Sequence, residues 1–322
     1  MKKILIISSN RLGDSILSSG LNEYFKKKFD NCQLTFVCGE VPSNLFKYCE
    51  NIDKLIVLRK MKFSLHWLFL WKKLVLHNWF YVVDLRGTGI SFFLSCKKRF
   101  RYKKNFNYRK VHKVVETTKR VVGHIANPSI KISSKISLSD KHLRNIIKLK
   151  RKKTLIMIAP TANWIGKIWP SKRFFDLINN LKGHKNFKKS TFILVGPLSE
   201  KKLVKDILNR KRTYIYDLFG NSSLIDIFQI MKFCNLFIGN DSGLMHLASL
   251  ANIPTIGLFG PSDKIKYAPW GKKNLVINSP KNPDELMGFV GFDSKKCGSL
   301  MLDLDIKDVF NAVIKYFRKI ND

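Results

Sequence analysis

The sequence predicts an α/β chain of two domains, and three observations predict it. Short apolar, strand-like runs alternate with helical patterns almost throughout. Polar or glycine-rich turns follow run after run. At 322 residues, 45% of them hydrophobic, the chain is long enough for two ordinary cores. The clearest stretch is LFIGNDSGLMHLASLANIPTIGLFGPSD, Leu236 to Asp263. It reads as strand, tight turn at Gly239-Asn240-Asp241-Ser242-Gly243, helix Leu244 to Leu250, strand Thr255 to Phe259, turn. Such a βαβ unit carries ligands at the carboxyl end of its strands. Ser242 is placed to cap the helix, with the amides of Gly243 and Leu244 directed at an anion, a phosphate above all.

In order, Ile4 to Ile7 predicts a buried strand, then the turn Ser8 to Asp14 and a helix with Ile16, Leu17, Leu21 and Phe25 on its apolar face. GxGxxG is absent, so no dinucleotide fingerprint is present. Asp14 at the helix start has an ordinary role open to it, a carboxylate beside the positive helix end. Gln33 to Val37 and Ile56-Val57 read as strands. Phe63 to Phe80, rich in aromatics around Lys72-Lys73, fits a helix packed on the sheet, or an amphipathic helix on a membrane surface. Tyr81 to Leu85 predicts a strand ending in Asp84-Leu85-Arg86-Gly87, and Lys97 to Lys104 is a dense basic run that reads as solvated surface.

The polar stretch Lys131 to Arg151 places the domain boundary near residue 150, giving domains 1–150 and 151–322. The second half predicts strands at Leu155 to Ala159, Thr191 to Val195 and Ile215 to Leu218. It also predicts helices at Ser171 to Leu181, Glu200 to Leu208, Leu224 to Met231 (capped by Ser222 or Ser223) and Ile306 to Phe317.

Composition narrows the function classes. The six scattered cysteines lack metal-type spacing and read as free thiols in a reducing, cytoplasmic compartment; no signal peptide or spanning run is visible. The net charge of +36 favours anionic partners. Lysine is spread along the whole chain, so composition bias explains the charge as well as function does. No nucleic-acid-binding signature accompanies it, and no nucleic-acid partner is expected.

The collinear segments NRLGDSILSS, DLRG, GKIWPSKRF, FGNSSL and GNDSGLMHLASLANIPTIGLFGPSD together resemble the bacterial heptosyltransferases of glycosyltransferase family 9, from Lys2 to about Phe317. The resemblance implies a GT-B fold: two Rossmann-like domains facing across a cleft, acceptor in the first and nucleotide sugar in the second, with the last helix returning toward the first. It implies inverting transfer of heptose from ADP-heptose to the Kdo- or heptose-terminated inner core of lipopolysaccharide, at the inner membrane surface. No metal and no cofactor beyond the donor are expected.

Carried over residue by residue, the resemblance makes Asp14 the catalytic base, since only its carboxylate in that turn can accept a proton. Lys167 ahead of Trp169-Pro170 becomes a point charge for the leaving diphosphate, with Thr161 a hydroxyl donor in the same loop. Asp241, Ser242, Gly243 and Leu244 form the donor turn, and His246 lies one turn along the helix. Gly220, Asn221 and Ser222 fall in the adenine-proximal loop. Glu200 is a candidate for the ribose, because Pro197-Leu198-Ser199 depart from the acidic residue of some relatives. Arg86 replaces a common Gln and, with Arg99, Arg101, Lys103 and Lys104, suggests an anionic acceptor. Two alternatives stand beside this reading: a family 9 enzyme for another nucleotide sugar or surface glycan, and a basic polyanion-binding protein with a degenerate site.

Overall fold

The computed structural model describes residues 1–102, 111–133, 141–150 and 153–321. The chain divides into two compact units, Met1–Ser137 and Leu138–Asp322. The division falls earlier than residue 150, so the helix Lys141–Lys150 goes with the second unit, where Lys150 Nζ donates to Asn235 Oδ1 at 2.6 Å.

In the first unit, β1 (Lys2–Ile7), β2 (Cys32–Cys38), β3 (Lys54–Val57), β4 (Trp79–Asp84) and β5 (Cys96–Arg101) form one parallel sheet ordered β3-β2-β1-β4-β5. Alternate β1 side chains enter opposite cores, as the two-residue period of a strand requires. Ile4 and Ile6 pack with Leu21, Phe25, Phe36 and Val83, whereas Leu5 and Ile7 pack with Leu70, Leu74, Trp79 and Val82. The basic run from Lys97 is therefore an edge strand as far as Arg101 and not merely solvated surface. The first helix breaks into Leu12–Leu17 and Gly20–Lys28 where Ser18 Oγ donates back to the carbonyl oxygens of Asp14 and Ser15, a local bond that competes with the helix ladder.

The aromatic segment gives a helix, Leu65–Leu74, packed on the sheet by one side. Leu70 and Leu74 enter the core, while Leu65, Leu68 and Phe69 on the opposite side are exposed.

In the second unit, β6 (Thr154–Ala159), β7 (Ser190–Leu194), β8 (Ile215–Asp217), β9 (Leu236–Asn240), β10 (Thr255–Phe259) and β11 (Asn274–Asn278) form a parallel sheet ordered β11-β10-β9-β6-β7-β8. Numbered from β6, this is the Rossmann order 3-2-1-4-5-6. One face is covered by the helices Ser171–Gly183 and Ile306–Asn321, the latter inserting Val309, Val313 and Ile314 into the core. The helix expected from Glu200 is largely a 3₁₀ segment, Leu198–Val204, with only Lys205–Leu208 α-helical. No helix among the described residues is long and apolar enough to cross a membrane.

Candidate active site

Each sheet reverses its strand order at one point, and a side-chain contact bridges the loops at each. In the second unit the reversal lies between β6 and β9, whose register ends on Ala159 opposite Gly239. Lys167 stands in the loop after β6, in the 3₁₀ turn Ile165–Lys167, and Asp241 follows β9 directly. Lys167 Nζ donates to Asp241 Oδ2 at 2.5 Å; the carboxylate is almost wholly buried while the lysine keeps about a quarter of its side chain in solvent. A lysine held by one buried carboxylate and partly open is placed to receive a second anion. Thr161 on the same loop is buried, and the loop is braced by Asn240 Oδ1, which accepts the Trp169 amide at 3.1 Å.

The helix Gly243–Leu250 begins where expected, but Ser242 does not cap it. Its backbone is extended, and its hydroxyl oxygen is buried with no hydrogen-bond partner. The first-turn amides, those of Gly243 and Leu244 among them, are ones a helix leaves without an internal acceptor. His246 packs inward, with Nε2 4.0 Å from Asp241 Oδ1. Lys167, Asp241, Ser242 and His246 thus come together at one sheet edge.

Gly220, Asn221 and Ser222 follow β8, and Glu200 lies in the segment after β7. The two loops are joined by the Gly220 amide donating to Gly196 O at 3.1 Å. Gly220 has φ +69°, and a Cβ there would come within 2.6 Å of Leu198, so this close approach requires glycine. Ser223, not Ser222, caps the helix Leu224–Met231 by accepting the Asp226 amide.

In the first unit the reversal lies between β1 and β4, with Ile7 opposite Asp84. Arg86 Nη1 donates to Asn10 Oδ1 at 2.9 Å, and its guanidinium lies 5.0 Å from the centre of the Trp67 ring. Burial pulls Arg86 below its ordinary pKa, while Asp84 acts in the opposite sense. Asp84 is fully buried and orders the turn, accepting from the Arg86 amide at 3.0 Å and from Thr88 Oγ1 at 2.9 Å. Asp14, half-buried in the helix after β1, accepts from Ser9 Oγ at 3.3 Å. Asn10 and Asp84 fall inside the NRLGD and DLRG segments but gain no role from the sequence alone, since an amide and a carboxylate in turns give little local signal.

Arg99 and Arg101 are placed differently from Arg86. Arg99 donates to Ser91 O and Leu94 O, Arg101 to Gly87 O, and both guanidinium groups sit over the Phe92 ring. They brace the turn after β4, whereas Arg86 reaches across to Asn10 in the loop after β1. Lys103 and Lys104 lie outside the described residues.

Comparison with known proteins agrees with this architecture. Residues 86–287 match the sequence profile of Glycosyltransferase family 9 (heptosyltransferase). Lipooligosaccharide heptosyltransferase 2 of Campylobacter jejuni is 26% identical over 289 residues, covering 85% of this chain and 86% of that protein. Lipopolysaccharide heptosyltransferase 1 of Campylobacter coli is 24% identical over 312 residues, covering 87% and 90%. Among solved structures, E. coli ADP-heptose lps heptosyltransferase II superposes with a TM-score of 0.73 at 17% identity, covering 100% of both chains. A glycosyl transferase of family 9 from Veillonella parvula gives 0.74 at 18% identity, covering 99% and 97%. The profile spans well over half of the chain, and the two Rossmann-like units are those of the GT-B fold: the protein belongs to glycosyltransferase family 9 and is a glycosyltransferase.

Proposed function

We propose that the protein transfers heptose, with inversion, from ADP-heptose to a Kdo- or heptose-terminated lipopolysaccharide core at the inner surface of the cytoplasmic membrane. The observation that carries the donor half is the Lys167–Asp241 pair beside the unpartnered Ser242 hydroxyl and the helix start at Gly243. The relatives' names supply the sugar.

In this mechanism the acceptor hydroxyl attacks the anomeric carbon as the bond to the diphosphate oxygen breaks. Asp14 takes the hydroxyl proton. Lys167 and the amides of Gly243 and Leu244 take up the charge developing on the leaving ADP, so no metal is assigned a role. Asp241 and His246 hold Lys167 and the sugar hydroxyls, Thr161 and Ser242 bind phosphate oxygens, and Gly220, Asn221, Ser222 and Glu200 meet the nucleoside. Arg86 receives an acceptor carboxylate or phosphate, with Arg99 and Arg101 fixing the turn beneath it.

The test is ADP release from ADP-heptose with a Kdo-bearing acceptor, in the presence of a chelator. Absence of turnover with ADP-heptose, together with turnover of another nucleotide sugar, would overturn the donor assignment. The segment Pro197-Leu198-Ser199 is the feature that would favour that second reading.

A further inference from the structure

The sheet side formed by the helix Leu65–Leu74 has an apolar surface that its own core does not use. Leu65, Leu68 and Phe69 are exposed on the side of the helix away from Leu70 and Leu74, and Leu76, just past the helix end, is 90% exposed. Lys72 and Lys73 share that outward side. At the helix entry Phe63 and Ser64 both have left-handed backbone, φ 51° and 58°. A bulky side chain disfavours that conformation, yet Phe63 is 94% exposed and so gains no burial in return. The patch continues through Trp71, whose Nε1 donates to Phe93 O at 3.3 Å, to the exposed Phe92 and Phe93.

The sequence that carries this patch is strongly basic, although Arg59 beside it is paired with Glu40 at 2.9 Å. From Lys54 to Val115 the sequence has sixteen Lys and Arg and a single acid, Asp84. Asp84 is fully buried, so none of the acid in this stretch is offered to solvent. A protein partner with an apolar face would need to be strongly acidic; an anionic bilayer offers both acyl chains and phosphates to aromatics flanked by lysines.

We infer that Phe63, Leu65, Phe69, Phe92 and Phe93 insert into the headgroup region of an anionic lipid bilayer, with Lys62, Lys72 and Lys73 paired to lipid phosphates. This deepens the proposed membrane reaction and rests on it. Phe63, on its strained backbone, is the wedge, and the first unit is the one that meets the lipid.

Cosedimentation of the full chain with vesicles tests it. Phosphatidylcholine vesicles containing phosphatidylglycerol should capture the protein, and pure phosphatidylcholine vesicles should not. Phe63→Gly combined with Phe69→Ser should weaken capture roughly tenfold, and Lys72→Glu with Lys73→Glu at least as much. Lys188→Glu with Lys189→Glu makes the same charge change on exposed residues of the second unit and should leave capture near wild type. Phe63→Gly alone should melt at or above the wild-type temperature, because glycine accepts φ 51°.

Equal loss in the patch and control variants, or equal capture by neutral vesicles, would overturn the inference. So would a solution dimer that Phe69→Ser dissociates, since a second copy would then cover the face. Transfer to a water-soluble, deacylated acceptor separates the two readings: if it persists while vesicle capture is absent, only the lipid surface is wrong. If it fails while patch-dependent capture holds, only the chemistry is wrong.

Discussion

Lys167 Nζ lies 2.5 Å from Asp241 Oδ2, and the two residues come from loops that follow adjacent parallel strands. An opposite charge already in place keeps the lysine extended toward the sheet edge. Arg86 and Asn10 repeat the relationship in the first sheet, with a neutral amide in place of the carboxylate.

Replacing Lys167 by Ala should lower turnover by about 10²–10³-fold, the magnitude of losing one donor to developing charge. The melting temperature should fall as well, because removing Lys167 leaves the almost wholly buried Asp241 carboxylate without its cation, so turnover is compared well below the variant's melt. Steady-state kinetics with a thermal melt checks this; turnover at the wild-type rate would remove Lys167 from the donor site.

Asp14→Asn keeps the shape of the turn and its contact with Ser9 but removes the proton acceptor. Turnover should fall by roughly 10²–10⁴-fold, while the thermal stabilisation given by ADP is unchanged. A variant that still transfers heptose freely would show that another group takes the proton.

Arg86→Gln should raise KM for an anionic acceptor by about ten- to a hundredfold, as losing a hydrogen bond to a charged group does. Donor KM should not move. Arg86→Lys should not restore the acceptor KM, because a single ammonium cannot contact Asn10, cover Trp67 and still present a fork. Titration of the acceptor at saturating donor measures it.

Burial pushes the thiols of Cys38, Cys49 and Cys234 up to about 12 from an ordinary 9.0. Above pH 9 the unfolded chain releases these protons and the folded chain keeps them, so stability should fall as pH rises from about 9 toward 12. Each thiol contributes at most about 1.4 kcal/mol per pH unit in that window and nothing below it. Urea midpoints across the window should drop less steeply for Cys234→Ala than for the parent. Identical slopes would mean that the thiol is not held protonated.

Much of the fold is local enough to read from sequence. The strand Thr255–Phe259 and the helix Leu224–Met231 have the boundaries their patterns give, because each is a full apolar run or face between clear turn residues. The edge strands were harder. Cys96–Arg101 hides behind its lysines and arginines, and every residue of Asn274–Asn278 is only half-buried, so neither carries a core-strand signature. Lys167, Asp241, Ser242 and His246 lie in motifs, and their placement at one edge follows from the βα pattern. The Arg86–Asn10 contact spans 76 residues and leaves no trace in any window of sequence. Nor does local sequence reveal that Ser242 leaves the helix uncapped.

The strand order also governs how the molecule is made. Lys167 and Asp241 are 74 residues apart, and strands β6 and β9, which precede them, pair Ile156 with Leu236 across a still longer stretch of chain, so this edge exists only after the intervening β7 and β8 have been laid down on one side. Long-range parallel pairing of this kind is slow and comes late in folding. During synthesis the Lys167–Asp241 edge is therefore among the last features to assemble, and a chain truncated before Leu236 would present a partial sheet with an open β6 edge. A ligand held at Lys167 and Asp241 would then stabilise only a chain whose second sheet is complete.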